Sequence, residues 1–107
     1  MIIDLPDGTA IGANTGARIL LARSRVLAAL REVLEPNPYP LVSLGLLRTA
    51  LRSLRVLETV AAREASDAGG VVKYDLGGGV GMTFGVVPTS TLTDRETASI
   101  SRALGQA

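Results

Sequence analysis

The sequence predicts a small α+β domain, and three observations indicate this class. Apolar residues recur at three- and four-residue spacing over about residues 17–34 and 41–66, which predicts two amphipathic helices. Residues 71–76 and 80–87 alternate strictly along the chain, which predicts two strands. A Thr93-Asp94-Arg95-Glu96 capping box predicts that a third helix follows it.

The predicted elements follow the order β-β-α-α-β-β-α. An N-terminal hairpin covers residues 1–12, with its turn at Pro6-Asp7-Gly8. Three prolines within residues 36–40 stop the first long helix, so the two long helices form an antiparallel helical hairpin. Gly77-Gly78-Gly79 joins the later strands into a short antiparallel β-hairpin, on which the helical hairpin is expected to pack. A C-terminal helix at about residues 94–104 completes the domain.

One face of the later β-hairpin is expected to be buried. It consists of Val72, Tyr74, Leu76, Val80, Met82, Phe84 and Val86. On the other face of the second strand, Gly81, Thr83 and Gly85 are unusually small. Such a bare face lets another backbone approach closely, for example that of a neighbouring subunit. The alternative is a strand that simply faces solvent.

We expect residues 1–107 to form a single domain. The composition of the chain excludes several classes of function. The chain contains no cysteine and no histidine, which excludes disulfides, histidine-based triads and almost all zinc, haem and iron–sulfur sites. Its formal net charge of +1 gives no argument for a nucleic-acid partner. Asp4 with Asp7 and Asp94 with Glu96 occupy a turn and a helix start, where acids are common. We therefore expect no enzyme activity, no cofactor and no metal.

We expect neither a secretory signal peptide nor a membrane-spanning segment in this sequence. Its first residues include Asp4 and no basic residue, unlike a secretory signal. The longest uncharged run, residues 76–93, contains five glycines and a proline, which is typical of sheet and not of a membrane helix. The expected location is intracellular (cytoplasmic), or within a virion or other assembly.

The second long helix carries an apolar face wider than a small monomer needs. At about 100° per residue this face spans about 200°, roughly twice the arc with which a surface helix covers a core. The excess predicts an interface with another subunit. The predicted interface residues are Leu47, Leu51, Leu54, Leu57 and Val60, together with the embedded charges Glu58 and Arg23.

Arg23 and Glu58 each lie within the apolar face of a predicted helix. Because an unpaired buried charge costs several kcal/mol, each needs a partner or a route to water. We expect the two to pair, within the hairpin or across a subunit interface, and to fix its register. The alternative is that the first helix begins later and that Arg23 reaches solvent from its first turn.

Four arginines share one narrow stripe of the second helix: Arg48, Arg52, Arg55 and Arg63. Such a stripe can grip phosphates, and binding of this kind weakens steeply as salt rises. No aromatic residues interleave with the arginines, so base stacking is not indicated. The alternatives are a solvated polar face and contact with an acidic surface on a protein partner.

Together these features predict a non-enzymatic structural or interaction protein, one subunit of a homo-oligomer or larger assembly such as a ring or a virion. Its partner would be a second copy or another assembly protein, and no membrane partner is expected. The second hypothesis is a small DNA-associated regulator that binds phosphates through the four stripe arginines. Loss of affinity over a modest salt range would distinguish the regulator from the assembly subunit.

Overall fold

The computed structural model describes residues 2–4, 10–12 and 14–105. Within these residues it contains three helices and an antiparallel two-stranded hairpin, which confirms the predicted mixture of helix and sheet. The helices are α1 (Thr15–Leu34), α2 (Pro40–Asp67) and α3 (Asp94–Gly105). The strands are β1 (Ile2–Asp4), β2 (Ala10–Gly12), β3 (Val71–Gly77) and β4 (Val80–Gly85).

The chain divides into two compact units, each assembled from two separate stretches. Unit 1 consists of Met1–Leu21 and Leu57–Thr89, and unit 2 consists of Ala22–Val56 and Ser90–Ala107. In unit 1, β1 pairs antiparallel with β2, and the turn predicted between them at Pro6-Asp7-Gly8 lies outside the described residues. The single domain expected over all 107 residues stays a prediction.

Local signals at the ends of α1 and α2 explain where these helices begin and end. Asn14 caps α1, since its Oδ1 accepts a hydrogen bond of 2.9 Å from the Ala17 amide. α2 ends in a Schellman motif, in which the Gly70 amide donates to the Ala65 carbonyl at 2.8 Å and Gly69 adopts φ 95°. Both signals can be read in the sequence, so the predicted helix bounds agree with the observed ones to within two residues.

The β3–β4 hairpin of unit 1 reverses direction at Gly78 and Gly79. Both residues have left-handed φ values, 61° and 78°, as the tightest hairpin turns require. A register shift after Asp75 adds a bulge just before this turn. Tyr74 and Phe84 are buried, and their ring centroids lie 5.8 Å apart.

The prediction for the buried face of this hairpin was wrong at both ends. Val80 and Val86 are exposed. Val80 follows the bulge next to the turn, and Val86 lies beyond the end of β4, so neither continues the inward alternation. The other five predicted residues are buried or half-buried: Val72, Tyr74, Leu76, Met82 and Phe84.

In unit 1 the first turn of α1 lies against this hairpin. A Cβ atom added at Gly16 would stand 2.6 Å from the Tyr74 Cβ, so only glycine permits the observed approach. The neighbouring helix positions are filled by small or branched apolar side chains. Those buried in unit 1 include Ala17, Ile19, Ala61, Ala62 and Ala65.

Unit 2 contains the greater part of α1, the N-terminal half of α2, and α3. Its buried apolar residues recur at three-, four- or seven-residue spacing and so lie on one side of each helix. They are Ala22, Val26, Leu30, Leu44, Leu47, Leu54, Ile100 and Ala103. No tryptophan and no phenylalanine takes part, and the core is aliphatic as the composition predicts.

Candidate interaction surface

The structure buries the central members of the predicted interface inside the chain itself. Leu47 and Leu54, in unit 2, are 0% exposed, and Glu58, in unit 1, is 6% exposed. The remaining apolar members are all half-buried: Leu51, Leu57 and Val60. A side chain that its own chain has already removed from water gains little from a further partner. At Leu47 and Leu54 the wide face of α2 therefore serves the fold, and the interface assignment of the set stays a prediction.

Arg23 has a different partner from the one that the sequence suggested. In unit 2 its guanidinium donates to both carboxylate oxygens of Glu96, each at 3.0 Å, and its Nε donates to the Thr91 carbonyl at 3.2 Å. This ion pair joins α1 to α3, so within the chain Arg23 is held by Glu96 and not by Glu58, and pairing of Arg23 with Glu58 across a subunit interface stays a prediction. The alternative expectation also fails, because α1 begins at Thr15 and Arg23 lies well beyond its first turn.

Glu96 links this ion pair to the start of α3. The Thr93 amide donates to Glu96 Oε1 at 2.8 Å, and the Glu96 amide donates to Thr93 Oγ1 at 3.1 Å. The predicted capping box is thus confirmed. The hydrogen bond from the Thr93 amide, assisted by the charge of Arg23, holds the pKa of the Glu96 carboxyl below its ordinary value. Glu96 therefore stays ionised and keeps both contacts at neutral pH.

Several large apolar side chains of unit 2 are exposed beside the turn between α1 and α2. Tyr39, Val42 and Leu46 line one depression of about 270 Å³, and we call these three residues the turn patch. Tyr39 is 69% exposed and Val42 is 60% exposed. Leu34 and Leu41 are exposed close by along the chain. These side chains make the turn patch a cluster of exposed apolar residues.

A groove between α1 and α2 continues from the turn patch within unit 2. This α1–α2 groove encloses about 410 Å³, and Leu46 and Glu32 line both depressions. Its remaining apolar and small lining residues are Ala22, Ala28, Ala29, Thr49, Ala50 and Ser53. Because these side chains are short, another helix can approach the two helices closely. Arg25 also lines the groove.

The four stripe arginines are all exposed. Arg48, Arg52 and Arg55 belong to unit 2, and Arg63 belongs to unit 1. At about 100° per residue, Arg48 and Arg52 lie on a different side of α2 from the groove residue Ala50. The arginine stripe and the α1–α2 groove are therefore separate surfaces, which mutations can test independently.

Unit 1 contains a polar cluster that the sequence reasoning missed. Glu64 Oε1 accepts hydrogen bonds from Tyr74 Oη at 2.5 Å and from Thr15 Oγ1 at 2.7 Å. These two bonds hold the pKa of Glu64 below its ordinary value. Burial, followed by the bond to Glu64, raises the pKa of Tyr74 to about 12. At neutral pH the pair is a carboxylate and a neutral phenol, an arrangement that anchors β3 to the two helices within unit 1.

One signal for this cluster was present in the sequence. Tyr74 was assigned to the buried face of the hairpin, and a buried tyrosine usually finds a hydrogen-bond partner for its hydroxyl. The small-residue face of β4 is exposed at Gly81, Thr83 and Gly85, as its alternation predicts. Lys73 covers part of it, since a Cβ atom added at Gly81 would stand 3.0 Å from Lys73 Cε.

The described residues contain no group of three or more acidic side chains placed to hold a metal ion. None of α1, α2 and α3 combines the length and the hydropathy that a bilayer crossing requires. No family model, curated protein or solved structure matches this chain. Its function must therefore be inferred from its own surfaces, of which the turn patch and the α1–α2 groove are the most apolar concave ones described above.

Proposed function

We propose that this chain is a non-enzymatic interaction protein that acts as a subunit of a homo-oligomer or of a larger assembly, such as a ring or a virion component. The observation that carries the proposal is the turn patch together with the α1–α2 groove, which form a concave apolar surface in unit 2. Burial of apolar surface stabilises association by roughly 25 cal/mol per Å². A partner that covers this surface therefore gains affinity from it.

The core of unit 2 supports this proposal. Leu47 and Leu54 are completely buried although the turn patch is exposed, so their burial does not depend on the turn patch. Tyr39, Val42 and Leu46 stay exposed, at the start of α2 and in the turn before it. A fold that needed no partner would be expected to carry polar residues at such positions.

The proposal extends to the architecture and the location. The full order β-β-α-α-β-β-α, with the helical hairpin packed on the later β-hairpin and an N-terminal hairpin before it, is the scaffold that we propose for this role. The proposed location is intracellular or inside an assembled particle, and no membrane partner is proposed. The partner is a second copy or another protein of the same assembly.

Sedimentation of three purified proteins tests the proposal. Val42→Glu places a charge in the turn patch, whereas Val87→Glu makes the same change at an exposed valine of unit 1. We expect the wild-type protein and Val87→Glu to form the same discrete multimer and Val42→Glu to shift toward monomer. Both variants replace exposed side chains, so circular dichroism should show unchanged folding. A wild-type protein that is monomeric up to high concentration would contradict self-association.

A second candidate function is a DNA-associated regulator. The exposure of Arg48, Arg52, Arg55 and Arg63 supports it, because a phosphate-binding stripe must be accessible to the nucleic acid. Nuclease-treated protein should then bind duplex DNA with an affinity that falls by orders of magnitude over a modest rise in salt. Arg48→Glu with Arg52→Glu should abolish that binding while leaving the multimer intact. Binding that ignores both salt and the arginines would count against this candidate.

A further inference from the structure

Two opposite charges are placed symmetrically about the centre of the α1–α2 groove. Arg25 and Glu32 both line the groove and lie seven residues apart on α1. Ala28 and Ala29 lie between them, and the midpoint of each pair falls between these two alanines. Spacings of three, four and seven residues place all four on one side of the helix. Along this side of α1 the side chains are therefore small in the middle, positively charged at one end and negatively charged at the other.

The two groove charges, Arg25 and Glu32, are not neutralised by any side chain of residues 14–105. Arg25 and Glu32 are both exposed, and within residues 14–105 no side chain forms an ion pair with either of them. Arg23, only two residues from Arg25, is by contrast held by Glu96. The two groove charges are therefore available to a partner that presents the complementary pattern.

We infer that a second copy of this chain occupies the α1–α2 groove, with the two α1 helices antiparallel about a two-fold axis that passes between Ala28 and Ala29. This inference rests on the proposed function and names the partner. In such a dimer Arg25 lies opposite Glu32 of the partner subunit, and Glu32 lies opposite Arg25 of the partner subunit. A two-fold interface requires this reciprocity, in which each contact occurs twice.

The side chains between the charges fit the same arrangement. Ala28 and Ala29 at the axis allow the two α1 helices to approach closely, and Ala50 of α2 borders the path of the second helix. Leu46 extends the apolar contact toward the turn patch. A parallel arrangement would set Arg25 against Arg25 of the partner subunit, which like-charge repulsion opposes. The charge pattern thus favours the antiparallel dimer.

Mixing two charge-reversal variants tests the pairing. Arg25→Glu gives a chain with two groove acids, and Glu32→Arg gives a chain with two groove arginines. We expect each variant alone to dimerise about tenfold more weakly than the wild type, since both attractive pairs become repulsive. An equimolar mixture should form a heterodimer at close to wild-type affinity, because both pairs are then restored. The double variant, Arg25→Glu with Glu32→Arg, should likewise dimerise as the wild type does.

The outcomes separate this inference from the proposed function. A discrete multimer that is unaffected by the single reversals, or a mixture that shows no rescue, overturns the antiparallel dimer but leaves the interaction protein in place. A wild-type chain that stays monomeric at every concentration overturns the dimer and removes self-association from the proposed function. Rescue by mixing would not occur if the groove bound an unrelated protein or a small molecule.

Disulfide trapping locates the axis independently of charge. The chain contains no cysteine, so Ala28→Cys introduces the sole thiol. Cysteines beside a two-fold axis lie within the Cα separation of about 4.4–6.8 Å that a disulfide needs. We expect Ala28→Cys to form covalent dimers under mild oxidation and Ser24→Cys, an exposed control about one helical turn before Ala28 on α1 and so farther from the axis, to form few. Equal cross-linking of the two variants would contradict the placement of the axis.

Discussion

Unit 1 and unit 2 differ in the partners of their carboxylates and in the surroundings of their exposed apolar side chains. In unit 1 the carboxylate of Glu64 is held by two neutral hydroxyl groups, one of them on the buried Tyr74. In unit 2 the carboxylate of Glu96 is held by a guanidinium and a backbone amide near the surface. The first arrangement holds the buried Tyr74 in unit 1, and the second stabilises the start of α3 in unit 2.

The exposed apolar residues of the two units also have different surroundings. Unit 1 exposes valines of the β-hairpin, and the depression that includes Val80 is lined by the charged Lys73 and Asp75. Unit 2 exposes the turn patch, whose depression leads into a groove of short side chains. Both units thus expose apolar side chains beside charged ones, and unit 2 differs in that its depression continues into a groove of short side chains, where we propose that another helix packs.

The largest expected effect tests whether buried and exposed leucines of unit 2 contribute differently to stability. Leu54→Ala should lower the free energy of unfolding by about 2–5 kcal/mol, because it removes a completely buried side chain. Leu41→Ala, at an exposed position of the same helix, should change it by less than about 0.5 kcal/mol. Urea unfolding of dilute protein measures both. Similar losses of unfolding free energy for the two variants would contradict the distinction between buried and exposed leucines.

The next effect belongs to unit 1 and depends on pH. Folding raises the pKa of Tyr74 from 10.0 to about 12. A raised pKa stabilises the protonated folded state below pH 10, and this stabilisation is lost as pH rises through about 12. We expect a loss of roughly 2–3 kcal/mol over this window. Chemical unfolding at a series of alkaline pH values should show it.

Two phenylalanine variants assign this loss to one residue. Tyr74→Phe removes the titrating hydroxyl and should abolish the alkaline loss, with a lower stability at neutral pH because Glu64 loses a donor. Tyr39→Phe, in unit 2, should retain the full loss. An alkaline transition that survives in Tyr74→Phe would show that the polar cluster is not its cause.

A smaller effect concerns the close approach in unit 1. Gly16→Ala should destabilise the protein by about 1–3 kcal/mol, since the new Cβ atom would overlap the Tyr74 side chain. Gly45→Ala is the matched control on α2 in unit 2, where nothing lies within 4 Å of the added atom. It should stabilise the protein by up to about 1 kcal/mol through helix propensity. Thermal unfolding distinguishes opposite signs directly.

The sequence predicts those parts of the fold that local chemistry determines. Asn14, Gly69 and the Thr93–Glu96 box define helix ends through contacts within a few residues, and the alternation of residues 71–85 defines the hairpin. The candidate site was harder to predict, because a helical wheel gives the direction of Leu47 and Leu54 but not what covers them. The pairing of Arg23 with Glu96 spans 73 residues and depends on packing alone.

The smallest expected effects come from the two side-chain caps. Asn14→Ala in unit 1 and Thr93→Ala in unit 2 should each cost about 1 kcal/mol of stability. Asn14 should cost slightly more, because its Nδ2 also donates to the Asp75 carbonyl at 2.8 Å. Denaturant midpoints of the two variants measure the difference. A larger loss at Thr93 would indicate that the Arg23–Glu96 pair depends on its cap.

Hydroxyl-radical footprinting at low and high protein concentration tests most directly the claim that unit 2 is the surface of association. The oxidation rates of Tyr39, Val42 and Leu46 should fall as the protein associates. Those of the equally exposed Val80 and Val87 in unit 1 should stay constant, which provides an internal control. Protection of the unit 1 valines instead, or no change in any of these residues while the multimer forms, would contradict the claim.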